Sequence, residues 1–327
     1  MVRELEGNFK VGQTGLYTKS WLPDETPKAK LVFVHGYSDH IGRYYGFFPY
    51  LAEQGIAVYG FDQRGWGRSV TKPAEKGLTG PTSEVIADIA AFTQSVMVAE
   101  PTTAPLFVMG HSMGGGEVLT LASMPEYEDS IIRHVRGWIL EAPFIAFPES
   151  ETPSTLKMFA GRLAGRFLPR FHLVHVIPAE YMSRDPDVVQ SVKEDKLCHN
   201  TGTLEGMAGL LDRTLELVTG KVKLSPEVRS LWGGHGDADM GTSYAASKAW
   251  FDKQTTVADK TFKTYEGWFH QLHTEPNKEE FYRDVAEWIL ARCDSEASAA
   301  AVDGNQTQQL PQASDEVKTE SKPESKL

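Results

Sequence analysis

The stretch Gly110-His111-Ser112-Met113-Gly114 restricts the fold of this chain more than any other. It follows directly on the apolar run Leu106-Phe107-Val108-Met109 and opens a segment, Gly114 to about Met124, with helical character. A serine between two glycines at such a junction is how a strand turns sharply into a helix, and the turn exposes the hydroxyl at the carboxyl edge of a sheet. The pattern alone says little in a chain with 29 glycines. Its place between strand and helix, with Asp and His candidates later in the chain, gives it content.

Short β-rich runs alternate with helical patterns through most of the sequence, as in strands joined by crossover helices. Strands are predicted at about Leu31–Val34, Ile56–Phe61, Leu106–Met109, Gly137–Leu140, Val228–Trp232 and Thr261–Tyr265. Their β-branched and aromatic content without strict alternation suits strands covered on both faces. Helices are predicted at about Ser83–Glu100, Gly114–Met124, Ser243–Lys253 and Asn277–Arg292, the last with Phe281, Val285, Trp288 and Ile289 at helical spacing. The fold class is therefore α/β, a mostly parallel sheet with helices on both faces.

Between Phe147 and Lys223 the alternation stops, and helical, arginine-bearing, proline-broken segments with little strand character take over. The expected organisation is a core in two parts, 1–146 and 224–293, with an inserted helical cap at 147–223. Within the cap, Leu156, Phe159, Leu163 and Phe167 share one helical face while Arg162, Arg166 and Arg170 recur at intervals of four. That face is expected to pack on the body, or else to meet a lipid surface. From Asp294 to Leu327 the composition turns to Ser, Ala, Gln, Glu, Lys and Pro, which reads as a disordered tail.

A formal charge of −11 and a pI near 5.4 argue against nucleic acid as a partner, because phosphate binding needs a clustered positive surface. Two cysteines, Cys198 and Cys293, lie far apart and offer neither a disulfide framework nor a zinc site, so a reducing compartment is expected. The first residues lack the apolar core of a signal peptide, and no run of about 18 apolar residues suggests a membrane span. Gly65-Trp66-Gly67 hints at dinucleotide binding, but the full motif needs glycine where Val70 stands. With no P-loop and no H-E-x-x-H, neither a cofactor nor a metal is implied.

A serine hydroxyl becomes a useful nucleophile when a histidine takes its proton and a buried carboxylate stabilises the imidazolium. The histidine belongs in the loop after the last core strand, where Tyr265-Glu266-Gly267-Trp268-Phe269-His270 stands. His273 is the competitor, less favourably distant from the strand end. For the acid, Leu231-Trp232-Gly233-Gly234-His235-Gly236-Asp237-Ala238-Asp239 leaves a strand with two candidates, of which Asp239 is preferred and Asp237 held in reserve. The oxyanion is expected to be held by the backbone amides of Met113, at a helix amino end, and Tyr37, after Val34-His35-Gly36. His35 is expected to brace that turn rather than act as a base. Serine at the elbow, where aspartate would suggest dehalogenase or epoxide chemistry, points to acyl transfer to water.

These stretches, with His35-Gly36-Tyr37-Ser38-Asp39-His40-Ile41-Gly42-Arg43-Tyr44 and Phe61-Asp62-Gln63-Arg64-Gly65-Trp66-Gly67-Arg68-Ser69, resemble the α/β-hydrolase superfamily. Within it, the chain resembles the monoacylglycerol lipase family from about Gly7 to Arg292. The resemblance implies a cap over an apolar acyl tunnel, a polar pocket for glycerol and a small lipid ester as substrate. It places Asp39, Arg43 and His273 near the glycerol end, with Asp39 where many relatives carry glutamate. Lysophospholipids or simple carboxylic esters are the alternative substrates for the same triad, and a non-catalytic ligand-binding role is the alternative from another class. The ending Ser325-Lys326-Leu327 reads as an address for a peroxisomal import receptor in a eukaryote; otherwise the cytoplasm or a lipid-droplet surface is expected.

Overall fold

The computed structural model describes residues 1–149 and 162–293. Leu156 and Phe159 of the cap stripe and the whole of 294–327, with Ser325-Lys326-Leu327, lie outside the described residues.

The chain runs through β1 (Arg3–Val11), β2 (Thr14–Leu22), β3 (Ala29–Val34), α1 (Phe47–Glu53), β4 (Ile56–Phe61), α2 (Thr82–Met97), β5 (Leu106–His111), α3 (Met113–Leu121) and β6 (Val135–Glu141). It then leaves the sheet for β7 (His172–Val174), α4 (Pro186–Glu194), β8 (Thr201–Thr203) and α5 (Leu204–Thr219), and returns with β9 (Ser230–Gly236), α6 (Tyr244–Asp252), β10 (Asp259–Tyr265) and α7 (Glu279–Leu290). The large sheet has the order β1-β2-β4-β3-β5-β6-β9-β10. β1 and β2 pair antiparallel with each other and β2 with β4, while every other pair is parallel.

All six predicted strands are present. Alternate residues of β3 enter different cores: Val32 and Val34 pack with α2, α3 and α6, whereas Leu31 and Phe33 pack with α1 and α7. That two-sided cover is why the inner strands read as apolar runs, whereas β10, at the edge, is DKTFKTY and only partly buried. Lys30 interrupts the run at a buried position, where its ammonium donates to the carbonyls of Val96 (3.0 Å), Met97 (2.9 Å) and Ala99 (3.0 Å). It thereby satisfies the orphan carbonyls at the end of α2.

Two features depart from expectation. β1 and β2 were not foreseen, because β1 is almost wholly exposed and carries Arg3, Glu4, Glu6 and Lys10 among its apolar residues. The insertion also has strand character, for β7 and β8 pair antiparallel as a short ribbon. α5 begins where the Thr203 hydroxyl accepts the Gly206 amide and ends at left-handed Gly220. No helix among the described residues is long and apolar enough to cross a membrane.

Candidate active site

β5 ends in the predicted sharp turn. Ser112 has φ 54° and ψ −119°, a conformation that costs free energy and is held by its surroundings. The glycines explain the tightness of the turn: a Cβ at Gly110 would strike the Gly114 backbone, and one at Gly114 would strike the carbonyls of Val34 and His35. The Ser112 amide donates to the Glu141 carbonyl (3.0 Å), and the Phe144 amide donates to the Ser112 carbonyl (2.8 Å), locking the elbow against β6.

Three strand ends then converge. His270 Nε2 lies 2.9 Å from Ser112 Oγ, and His270 Nδ1 lies 2.8 Å from Asp239 Oδ2. Asp239 Oδ1 accepts the amides of Gly241 (2.6 Å) and Thr242 (3.1 Å), and Oδ2 also takes the Thr242 hydroxyl (2.8 Å). Burial works against its charge, but His270, His235 and their hydrogen bonds hold the Asp239 carboxyl well below the usual carboxylate range. Burial likewise opposes a charged His270, yet Asp239 overcomes it and raises the imidazole above its ordinary value. The Asp237 carboxylate instead accepts the Gly267 amide (2.6 Å), which ties the histidine loop from outside.

His235 was not singled out from sequence, yet its Nε2 lies 2.9 Å from Asp239 Oδ2. A histidine four residues before an acid is an uninformative pattern, and only the bend after β9 brings the two together. The loop bearing His270 is also stitched to the insertion. The His270 amide donates to the Tyr181 carbonyl (3.2 Å), the Gln271 amide to Met182 (2.7 Å), and the Ser183 hydroxyl to Thr274 (3.0 Å). Glu275, fully buried, accepts the Arg184 amide (2.9 Å) and pairs with its guanidinium.

The turn after β3 passes close to the elbow, since a Cβ at Gly36 would come 3.1 Å from Ser112 Cβ. His35 does brace this turn, accepting the Gln63 amide at Nε2 (2.8 Å) while the Gln63 side chain donates to the His35 carbonyl (2.8 Å). Tyr37 and Met113 both line the cavity at Ser112, as an oxyanion site requires. The insertion grips Tyr37 by its hydroxyl, which donates to the carbonyls of Asn200 (2.9 Å) and His175 (3.3 Å).

Two cavities meet at Ser112, Tyr37 and His270. One, of about 380 Å³, is walled by Phe144, Phe147, Leu173, Met207, Leu210 and Leu211. The other, of about 360 Å³, is the more polar of the two and presents Asp39, Arg43, Lys193, Asn200 and Gln271 beside Val176, Ile177, Met182 and Val192. Asp39 accepts the Tyr44 hydroxyl (2.7 Å) and the His40 amide (2.8 Å), and Arg43 reaches Asp195 (3.2 Å). His273, expected beside these two, is placed elsewhere: its side chain is fully buried, stacked on Tyr44, with Nδ1 2.6 Å from Glu141. It lies behind the polar cavity rather than in its wall.

Gly65-Trp66-Gly67 forms a structural turn, for Asp62 accepts the amides of Ile41 (2.9 Å) and Arg68 (2.6 Å) and leaves no room for a Cβ at Gly67. Among the described residues one group, His40, Asp195 and Cys198, brings ligand-type atoms within 4.8 Å of one another. The Arg43 guanidinium already neutralises its Asp195, so a cation there would meet a like charge. The described half of the cap stripe does not pack on the body: Leu163 is 49% and Phe167 74% exposed.

A profile of the Hydrolase_4 family, described as serine aminopeptidase, S33, matches residues 25–277. A putative monoglyceride lipase of Schizosaccharomyces pombe is 33% identical over 84% of this chain and 71% of its own length. A monoacylglycerol lipase of Mycolicibacterium smegmatis is 28% identical over 86% of this chain and 95% of its own. Among solved structures, a soluble variant of a monoglyceride lipase from Saccharomyces cerevisiae, in complex with a substrate analogue, superposes with a TM-score of 0.78. That likeness covers 88% of this chain and 94% of the other at 19% identity, and is one of fold. A strained serine elbow on this sheet, a match over most of the core and close monoglyceride lipase relatives together establish that the chain belongs to the Hydrolase_4 family of α/β-hydrolases, within its monoglyceride lipase branch.

Proposed function

We propose that this chain hydrolyses monoacylglycerols to a fatty acid and glycerol through an acyl-enzyme on Ser112. The observation that carries the reading is the meeting of an apolar cavity with a more polar one, bearing Asp39, Arg43 and Asn200, at one Ser112–His270–Asp239 constellation. An ester with a long apolar acyl chain and a small polyhydroxy alcohol divides its chemistry in the same way.

His270 Nε2 takes the Ser112 proton as Oγ bonds to the ester carbon, and the carbonyl π pair moves onto oxygen. The Tyr37 and Met113 amides hold that charge, and Asp239 stabilises the imidazolium. Collapse restores the carbonyl and breaks the bond to the glycerol oxygen, which takes its proton from His270. Water then gives a proton to His270 and attacks the acyl carbon; fatty acid leaves, and Ser112 regains its proton.

The apolar surface around the insertion supports collection of substrate from a lipid surface. Phe167, Phe171, Val174 and Val176 are exposed, and Val176 also lines the apolar cavity. Parallel assays on monoacylglycerol and lysophosphatidylcholine test the substrate. Preference for the lysophospholipid would replace the proposed alcohol, and failure of a fluorophosphonate probe to label Ser112 would remove the enzymatic reading. The address in Ser325-Lys326-Leu327 rests on sequence alone. A fluorescent reporter carrying residues 294–327, with and without Leu327, tests it; diffuse fluorescence from both constructs argues against the peroxisome.

A further inference from the structure

Beside the Asp239–His270 pair stands a second buried acid–histidine pair, Glu141 and His273. Glu141 closes β6 next to the nucleophile strand, in register with His111, and its backbone carbonyl holds the Ser112 amide. Its side chain is fully buried; Oε1 takes the His273 amide (3.1 Å) and lies 2.6 Å from His273 Nδ1. From there the rings run on to the triad. His273 and His111 are 5.4 Å apart at their centroids, and His111 and His270 are 4.9 Å apart.

A fold-stabilising role explains this arrangement poorly. Glu141 Oε2 meets no donor of the protein, and taking a carboxylate out of water costs stability that an apolar side chain would not. Burial opposes its charge, yet His273 and His111, with the hydrogen bonds from His273, hold the carboxyl below the usual range, so it is an anion at neutral pH.

We propose that Glu141 is a positioning residue for the hydrolysis, a second anion that stabilises the imidazolium of His270 across the His273 and His111 rings. The inference rests on the reading of Ser112 and His270 as nucleophile and base. His270 develops positive charge each time it takes a proton, and a fixed anion within the same dry cluster lowers the free energy of that state. The ionisable groups that interact with Glu141 are His111 from β5, His270 and His273 from the loop after β10, Tyr44 from the segment before α1, Tyr265 from β10 and Tyr282 from α7, and Asp39 joins them through Tyr44 (2.7 Å) and His111 (3.9 Å). Asp39 is the other anion of the group and is partly answered by Arg43. Tyr44 is kept neutral by burial and donates its hydroxyl hydrogen bond to Asp39, so it adds no charge beside Glu141.

The test is the pH dependence of kcat/KM on a soluble p-nitrophenyl ester for the full chain and for Glu141→Gln, which keeps an oxygen for the His273 donors and removes the charge. With the anion gone, His270 should hold its proton less tightly. The acidic limb should move down by roughly half to one pH unit and the plateau fall roughly three- to tenfold. Glu141→Asp, which retains the charge, should keep the wild-type limb. Circular dichroism over the same pH range gives the folded fraction by which each rate is divided, so a destabilised sample still reports the limb. Where turnover is too slow, NMR titration of the His270 ring must show the same downward shift. A limb or ring titration that coincides with wild type in Glu141→Gln overturns the proposal, even where the plateau falls. Full activity of Ser112→Ala would overturn the underlying reading instead, and that is measured with Glu141 intact.

Discussion

The carboxyl edge of the sheet and the insertion above it enclose the same cavities but are built by opposite means. At the sheet edge, ionisable groups are buried and almost every one is answered by a fixed partner: Asp239 accepts from two amides, a hydroxyl and two imidazoles. On the insertion, carbon faces outward, with Phe167 74% and Val174 64% exposed. The first arrangement holds reacting atoms in place in a dry setting where charges act strongly. The second leaves apolar area that water covers at a cost, which suits a surface meant to meet something apolar. Where the two regions touch, polar bonds, Tyr37 to the Asn200 carbonyl and Arg213 of α5 to Glu117 of α3 (3.1 Å), stand beside apolar contact of Leu210 with Trp66, Met113 and Phe144.

If that contrast is right, changes at the edge strike turnover and changes on the outer cap strike access. Ser112→Ala should lower turnover of monoacylglycerol and soluble ester alike on the order of ten-thousandfold to millionfold. Asp239→Asn should follow, with a loss on the order of a thousand- to ten-thousandfold in kcat and little change in KM, because the base loses its orienting anion. A mild loss there would mean that another acid serves His270. At the junction, Arg213→Met leaves Glu117, whose burial already pushes its carboxyl up to about 7, without its cation. Urea unfolding at pH 8 should show a loss of about 3–5 kcal/mol, and adding Glu117→Leu should restore most of it. If the double variant is no better than the single, the pair is not what couples insertion and core. Smallest of all, Phe167→Ser with Phe171→Ser should weaken binding to phosphatidylcholine vesicles severalfold while leaving soluble-ester hydrolysis near wild type. Equal losses in both assays would make that surface structural.

The inner parallel strands were legible because burial on both faces writes an apolar run, and β10, at the other edge, because Thr261, Phe262, Thr264 and Tyr265 are β-branched or aromatic; Ser112, Asp239 and His270 each follow one of these strands. β1 was not, since an exposed edge strand owes its form to pairing with β2 and carries no apolar signature of its own. Cap expectations fared differently along their length. Leu163 and Phe167 do share a helical face, but periodicity does not say whether a face looks inward or out.

From the residues alone came the α/β class, the elbow at Ser112, the order Ser112, Asp239, His270 along the chain, and the choice of turns after β3 and β5 for the oxyanion. Those follow from local rules, because turn geometry and strand burial act over a few neighbouring residues. Only the tertiary structure decided that His235 and Thr242 share Asp239, that Asp237 turns away to Gly267, and that His273 leaves the polar cavity to pair with Glu141. These are meetings between residues 3 to 132 positions apart. Which buried donor finds which acceptor is settled by the packing of strands and loops in space, where each ion must be answered by whatever the fold brings within hydrogen-bonding reach.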